Sequence, residues 1–236
     1  MSESLKGKNE DIAAKKFSAY FPCWKELTAE QQKFLSSAVH EYRYPKGTLL
    51  HSGSSDCIGL LLVTSGQVRV YTVSSEGREL TLYRLLERDM CLFSASCIMP
   101  SIQFDVMVSA EQDSTAFVIP AQIYQTLMER SAAVANYTNE LMASHFSDVM
   151  WLMDQILNKK LDTRLAAFLL EESALSGSNV VTITHEQIAN HLGSVREMIS
   201  RMLDYFQKEG LVRLGRGNIR LLNLPKLTDL AQRSLR

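Results

Sequence analysis

Apolar and polar positions change their period three times along this chain. Residues 17–40 place Phe34, Leu35 and Val39 at helical spacing, with Thr28 suited to cap the helix ahead of Ala29. From Tyr42 to Pro120 the runs become short and β-rich, and Val68–Val73 alternates residue by residue. Glycines at 47, 53, 66 and 77 mark turns between these runs, which together predict a compact antiparallel barrel or roll. Beyond Ala121 the texture turns helical. No glycine or proline interrupts Ala133–Leu161, and Met142, His145, Val149, Leu152 and Ile156 follow spacings of three and four. That seam suits a two-stranded coiled coil, although the same face could pack on its own roll.

The C-terminal third carries the most specific pattern. In ITHEQIANHLGSVREMISRML (183–203), apolar Ile183, Ile188, Ala189, Leu192, Ile199, Met202 and Leu203 flank a break at Gly193. Two short helices over a tight turn are expected, a helix-turn-helix. A short strand at 180–183 precedes it, and two strands around Gly215-Arg216-Gly217-Asn218 follow, making it winged. The second helix presents Arg196, Glu197, Ser200 and Arg201. Arginine pairs with guanine O6 and N7, glutamate accepts from cytosine N4, and serine makes a shorter contact to base or backbone. Thr184, His185 and Ser194 are the candidate phosphate contacts. Each has a plainer reading as a surface polar residue, and Glu197 could pair with Arg201 across one turn.

A roll, a long helix and then a winged helix-turn-helix resemble the Crp/Fnr family of bacterial transcription regulators. The resemblance spans about residues 17–225 and is sharpest in the I-T-x-x-x-I-A-x-x-L-G frame and the R-E-x-x-S-R run. It implies an α+β chain: a flexible arm (1–16), a sensor domain (17–132) built on an antiparallel β-roll or double-stranded β-helix, a dimerisation helix (133–160) and a winged helix-turn-helix domain (161–236). It further implies a homodimer on an inverted-repeat site of double-stranded DNA, with recognition helices roughly 34 Å apart, acting with RNA polymerase. The expected dimer interface is Met142, His145, Val149, Leu152 and Ile156. A constitutive DNA-binding protein with a vestigial roll is the alternative.

Charge agrees with the DNA reading only through its distribution. The net charge is −1, yet Thr182–Arg236 holds nine Lys/Arg and five Asp/Glu, +4, while the rest stands at −5. No run of about 18 apolar residues suggests a membrane helix, and the polar N-terminus is unlike a secretory signal, so the cytoplasm is the expected location. The four cysteines form no CxxC pair and are expected as reduced thiols. The segment where cyclic-nucleotide-binding relatives hold their ligand reads Cys91-Leu92-Phe93-Ser94, and 102–106 contains no arginine, which disfavours cyclic AMP. Only Cys23 lies near the N-terminus, against an iron–sulfur cluster. None of His40, His51 or His145 sits in a distinctive haem motif. Cys91 and Cys97 could form a reversible disulfide, or, with Phe93, line a site for an apolar or aromatic small-molecule effector. No metal-ligand set, nucleophile–base motif or phosphate-cradling loop argues for an enzyme, and His51 and Glu79 fit no cupin-like pattern.

Overall fold

Four successive apolar residues, Leu60–Val63, form the strand on which the roll is built. In a computed structural model all four are fully buried, because this strand has a core on each of its faces. Leu60 and Leu62 point to one cluster, with Phe117, Ile119, Phe17, Leu35 and Tyr124. Leu61 and Val63 point to another, with Val68, Val70, Val108 and Ala116. A strand buried on both sides has no polar face, which is why its sequence does not alternate.

The structure describes residues 15–53, 57–98 and 105–232, the side chains at 96–98 excepted. Of the expected arm, only Lys15 and Lys16 fall within them, and both are helical. The chain divides into two units. One comprises residues up to Thr72 with Leu82–Ser147, the other Val73–Thr81 with everything from Asp148 onward.

The roll has two four-stranded sheets. The first runs β1 (His40–Tyr44), β8 (Ser114–Ile119), β3 (Leu60–Ser65) and β6 (Met90–Cys91). The second runs β2 (Leu49–Ser52), β7 (Met107–Ala110), β4 (Val68–Val73) and β5 (Glu79–Leu85). Alternation in β4 puts Val68 and Val70 inside, while Arg69 lies 4.2 Å over the Tyr71 ring on the other face. The turn into β4 requires glycine: Gly66 has φ +84°, and a Cβ there would meet Ser114 Oγ at 2.4 Å. Helix α1 (Ala29–Ser36) starts at Thr28 as expected, with a reciprocal cap between Thr28 and Gln31. Helices α2 (Ala121–Arg130) and α3 (Ala132–Asn158) follow the roll.

The second unit contains α4 (Leu161–Ser176), β9 (Val180–Val181), α5 (His185–Leu192), α6 (Arg196–Lys208), β10 (Val212–Gly215), β11 (Asn218–Leu221) and α7 (Leu224–Ala231). The strands form one antiparallel sheet in the order β10-β11-β9. Its core gathers Leu165 and Leu169 from α4, Ile188 from α5, Ile199, Leu203 and Phe206 from α6, Ile219 from the wing and Leu227 from α7.

Leu61 occupies the interior of the roll with no exposed surface. Leu61→Ala is expected to destabilise the protein by about 2–5 kcal/mol, measured as a lower urea midpoint at unchanged slope.

Candidate nucleic-acid interface and sensor roll

The recognition surface begins with a cap. The Thr184 hydroxyl accepts the Gln187 N–H at 3.2 Å while Gln187 Oε1 accepts the Thr184 N–H at 2.9 Å. This capping box starts α5 and already engages the Thr184 hydroxyl. Ile188 and Ala189 bury the inward face. Gly193 then ends α5 with φ +61°, the left-handed conformation that favours glycine. The Ser194 N–H returns to Ala189 O at 2.9 Å, and α6 begins two residues later.

One face of α6 is apolar and buried through Ile199, Leu203 and Phe206. The opposite face leaves Glu197 and Arg201 exposed, and Arg196, one turn before Ile199, is exposed at the start of the helix. A helix turns about 100° per residue, so seating Ile199, Leu203 and Phe206 in the core aims Glu197 and Arg201 outward. Ser200 is half-buried, and its Oγ lies 2.8 Å from His185 Nδ1. The sequence placed both residues at the interface but did not foresee this bond. Ser194 is half-buried in the turn.

Three further arginines emerge only from the fold. Arg164 of α4 donates through Nη2 to the Leu192 carbonyl, holding the last turn of α5, and burial pulls its guanidinium pKa below the usual value. Arg213 and Arg220 stand directly opposite each other on β10 and β11, both exposed. Like charges in that register are unfavourable by themselves, so an anion beside the wing would relieve them. Cross-strand register is the signal that finds this pair, and it requires the hairpin to be aligned first.

On α3 the structure separates two stripes that the sequence merged. Met142 packs on the apolar cluster of the roll. His145 is buried, stacked on Tyr83 with ring centroids 4.2 Å apart and 6.2 Å from the Phe93 ring. Val149 and Leu152 are half-buried. The exposed apolar stripe is displaced by about one residue: Phe146 (67%), Met150 (46%), Met153 (47%) and Leu157 (73%), with Ile156 (41%) beside it. It too follows spacings of three and four, so periodicity alone could not choose between the stripes.

In the roll, Cys91 and Phe93 are buried. Burial raises the Cys91 thiol pKa, partly opposed by hydrogen bonds from Ser94. Burial also pushes the Cys23 thiol up to about 11. Both are free thiols, whereas Cys57 is disulfide-bonded. The expectation of four reduced thiols is corrected to that extent. The Cys97 side chain and residues 102–104 lie outside the described side chains. Around the expected nucleotide site, Leu92 and Ser94 are buried and no carboxylate stands among Cys91–Ser94 to hold a ribose. Arg84 is ion-paired to Glu111 at 3.0 Å. These residues do not fit a cyclic nucleotide. Among the described residues no group of three His, Cys, Asp or Glu side chains is placed to hold a metal ion, and no helix is long and apolar enough to cross a membrane.

A buried-face recognition helix, a wing and a preceding roll define a DNA-binding regulator with a sensor domain. The Crp-like helix-turn-helix domain model matches residues 163–230, and the cyclic nucleotide-binding domain model matches residues 41–131. A crystal structure of a protein from Eubacterium rectale ATCC 33656, assigned to the crp/fnr family of transcriptional regulators, is 57% identical. It superposes with a TM-score of 0.89 over 91% of this chain and 99% of that one. The cyclic AMP receptor protein of Thermus thermophilus is 25% identical over 210 residues, 89% of this chain and 96% of the relative. The fumarate and nitrate reduction regulatory protein of Escherichia coli K12 is 29% identical over 196 residues, 79% of this chain and 76% of the relative. The chain belongs to the Crp/Fnr family of transcription regulators.

Arg164→Leu removes the donor to Leu192 O. It is expected to cost about 1–3 kcal/mol, measured by urea denaturation, and to speed amide exchange in α5.

Proposed function

We propose that this protein is a homodimeric, sequence-specific transcription regulator that binds inverted-repeat promoter DNA under the control of its roll. The observation that carries this reading is the two-sided α6, with Ile199, Leu203 and Phe206 inward and Arg196, Glu197 and Arg201 exposed. In a major groove Arg201 donates both of its forked N–H groups to guanine O6 and N7. Glu197 accepts from a cytosine N4 amine, and Arg196 reaches a second guanine or a phosphate. The turn around Ser194, the N-terminus of α5 with Thr184 and His185, and the arginines of the wing face the phosphates. Salt dependence follows, because each neutralised phosphate releases counterions.

Two copies pair through the exposed stripe of Phe146, Met150, Met153 and Leu157, with Ile156 at its edge. A solvent-facing row of large apolar side chains at coiled-coil spacing matches a second copy of itself. Pairing sets the two recognition helices one DNA turn apart, where they engage both halves of an inverted repeat and act with RNA polymerase in the cytoplasm.

The effector acting at the roll is other than cyclic AMP. The aromatic set of Tyr83, Phe93 and His145 suits a small apolar or aromatic molecule. Redox control through Cys91 is the weaker branch, because a buried thiol with a raised pKa is a poor nucleophile. An effector works here by favouring one dimer arrangement over another.

Arg201→Ala is expected to remove specific binding to an inverted-repeat duplex, by about tenfold or more, while the protein remains dimeric by light scattering. Unchanged affinity would refute its role. Met153→Glu is expected to shift the protein toward monomer in sedimentation analysis and to weaken binding to the full site more than to a half-site.

A further inference from the structure

The bond between His185 and Ser200 joins the first residue of α5 to the middle of α6. Nδ1 and Oγ are 2.8 Å apart, and both side chains are half-buried. A serine hydroxyl has one hydrogen and two lone pairs, so what it can offer a second partner depends on what the first has taken. An imidazole protonated on Nε2 accepts the Ser200 hydrogen at Nδ1, and Oγ then has only lone pairs to offer a second partner. An imidazole protonated on Nδ1 donates to Oγ instead and leaves the hydroxyl hydrogen free. Base edges differ in this same property. Cytosine N4 and adenine N6 donate, whereas guanine O6 and N7, adenine N7 and thymine O4 accept.

We propose that His185 is a positioning residue that sets the hydrogen-bond polarity of Ser200 and thereby determines which base pair the middle of α6 prefers. The inference rests on α6 being the major-groove helix. The Nε2-protonated form serves both ends of the imidazole. Its Nε2–H can donate to a phosphate oxygen near the N-terminus of α5, where the helix dipole also favours an anion. Its Nδ1 meanwhile takes the hydrogen of Ser200. Ser200 is then an acceptor, matched to the amine of cytosine or adenine and mismatched to guanine O6 and thymine O4. The pairing is specific to a histidine at 185, because arginine or lysine there has no lone pair and could only donate.

The test uses the full-length protein and a duplex enriched by it from a random pool. Each half-site position is then varied through all four base pairs, and competition binding is measured. Wild type should prefer a cytosine or adenine amine at one position by about fivefold or more. Ser200→Ala should flatten that preference, and His185→Phe should flatten it at the same position. The double variant should be no flatter than Ser200→Ala alone, and His185→Gln, which retains an acceptor, should keep the preference. Should the phenylalanine variant unfold, His185→Ala carries the same expectation. Uniform weakening by His185→Phe across all duplexes, or an effect at a position Ser200→Ala leaves alone, would overturn the proposal. The major-groove reading fails separately, if wild type enriches no sequence or Arg201→Ala leaves every preference intact.

Discussion

The seating of α6 in the core of the second unit is the constraint on which the rest depends. Ile199, Leu203 and Phe206 are fully buried, and together they fix the rotation of the helix about its axis. Rotating α6 to bury its charged face would strand Glu197 or Arg201 in an apolar core at a cost far above the hydrophobic gain. Two smaller devices fix the helix in the remaining directions. Gly193 turns the chain in a conformation that resists side chains, and Arg164 ties down the carbonyl of Leu192. The proposed base reading needs a surface set to within a fraction of a hydrogen-bond length, and these contacts hold α6 against its neighbours.

The roll solves a different problem. Its central strand, β3, is buried on both faces, so one sheet holds the helical layer on one side and the roll interior on the other. That interior departs from a nucleotide site in a consistent way. Its described residues offer a thiol, aromatic rings and a histidine, with Tyr83 and His145 stacked and Arg84 already paired to Glu111. The family architecture assigns the class of protein without assigning its effector.

Much of this was legible in sequence because local rules dominate where the elements are short and strongly marked. The break at Gly193 and the wing turn around Arg216 and Gly217 each follow from neighbours within four residues, and each element formed where expected. Long-range facts were not legible. The exposed stripe on α3 lies one residue away from the seam drawn through Met142 and His145, since an adjacent stripe with the same spacing is taken by packing against the roll. The opposition of Arg213 and Arg220 needs strand register, and the bond from His185 to Ser200 needs two helices crossed over a turn.

Base reading by the exposed face of α6 in two symmetric copies is the claim on which the functional account stands. Replacing each guanine of an enriched duplex by 7-deazaguanine removes only the N7 acceptor in the major groove. The account predicts a loss of about tenfold at guanines placed symmetrically in the two half-sites, and no further loss when Arg201 is alanine. Affinity unchanged by 7-deazaguanine at every position, or a loss confined to one half of the site, would contradict it.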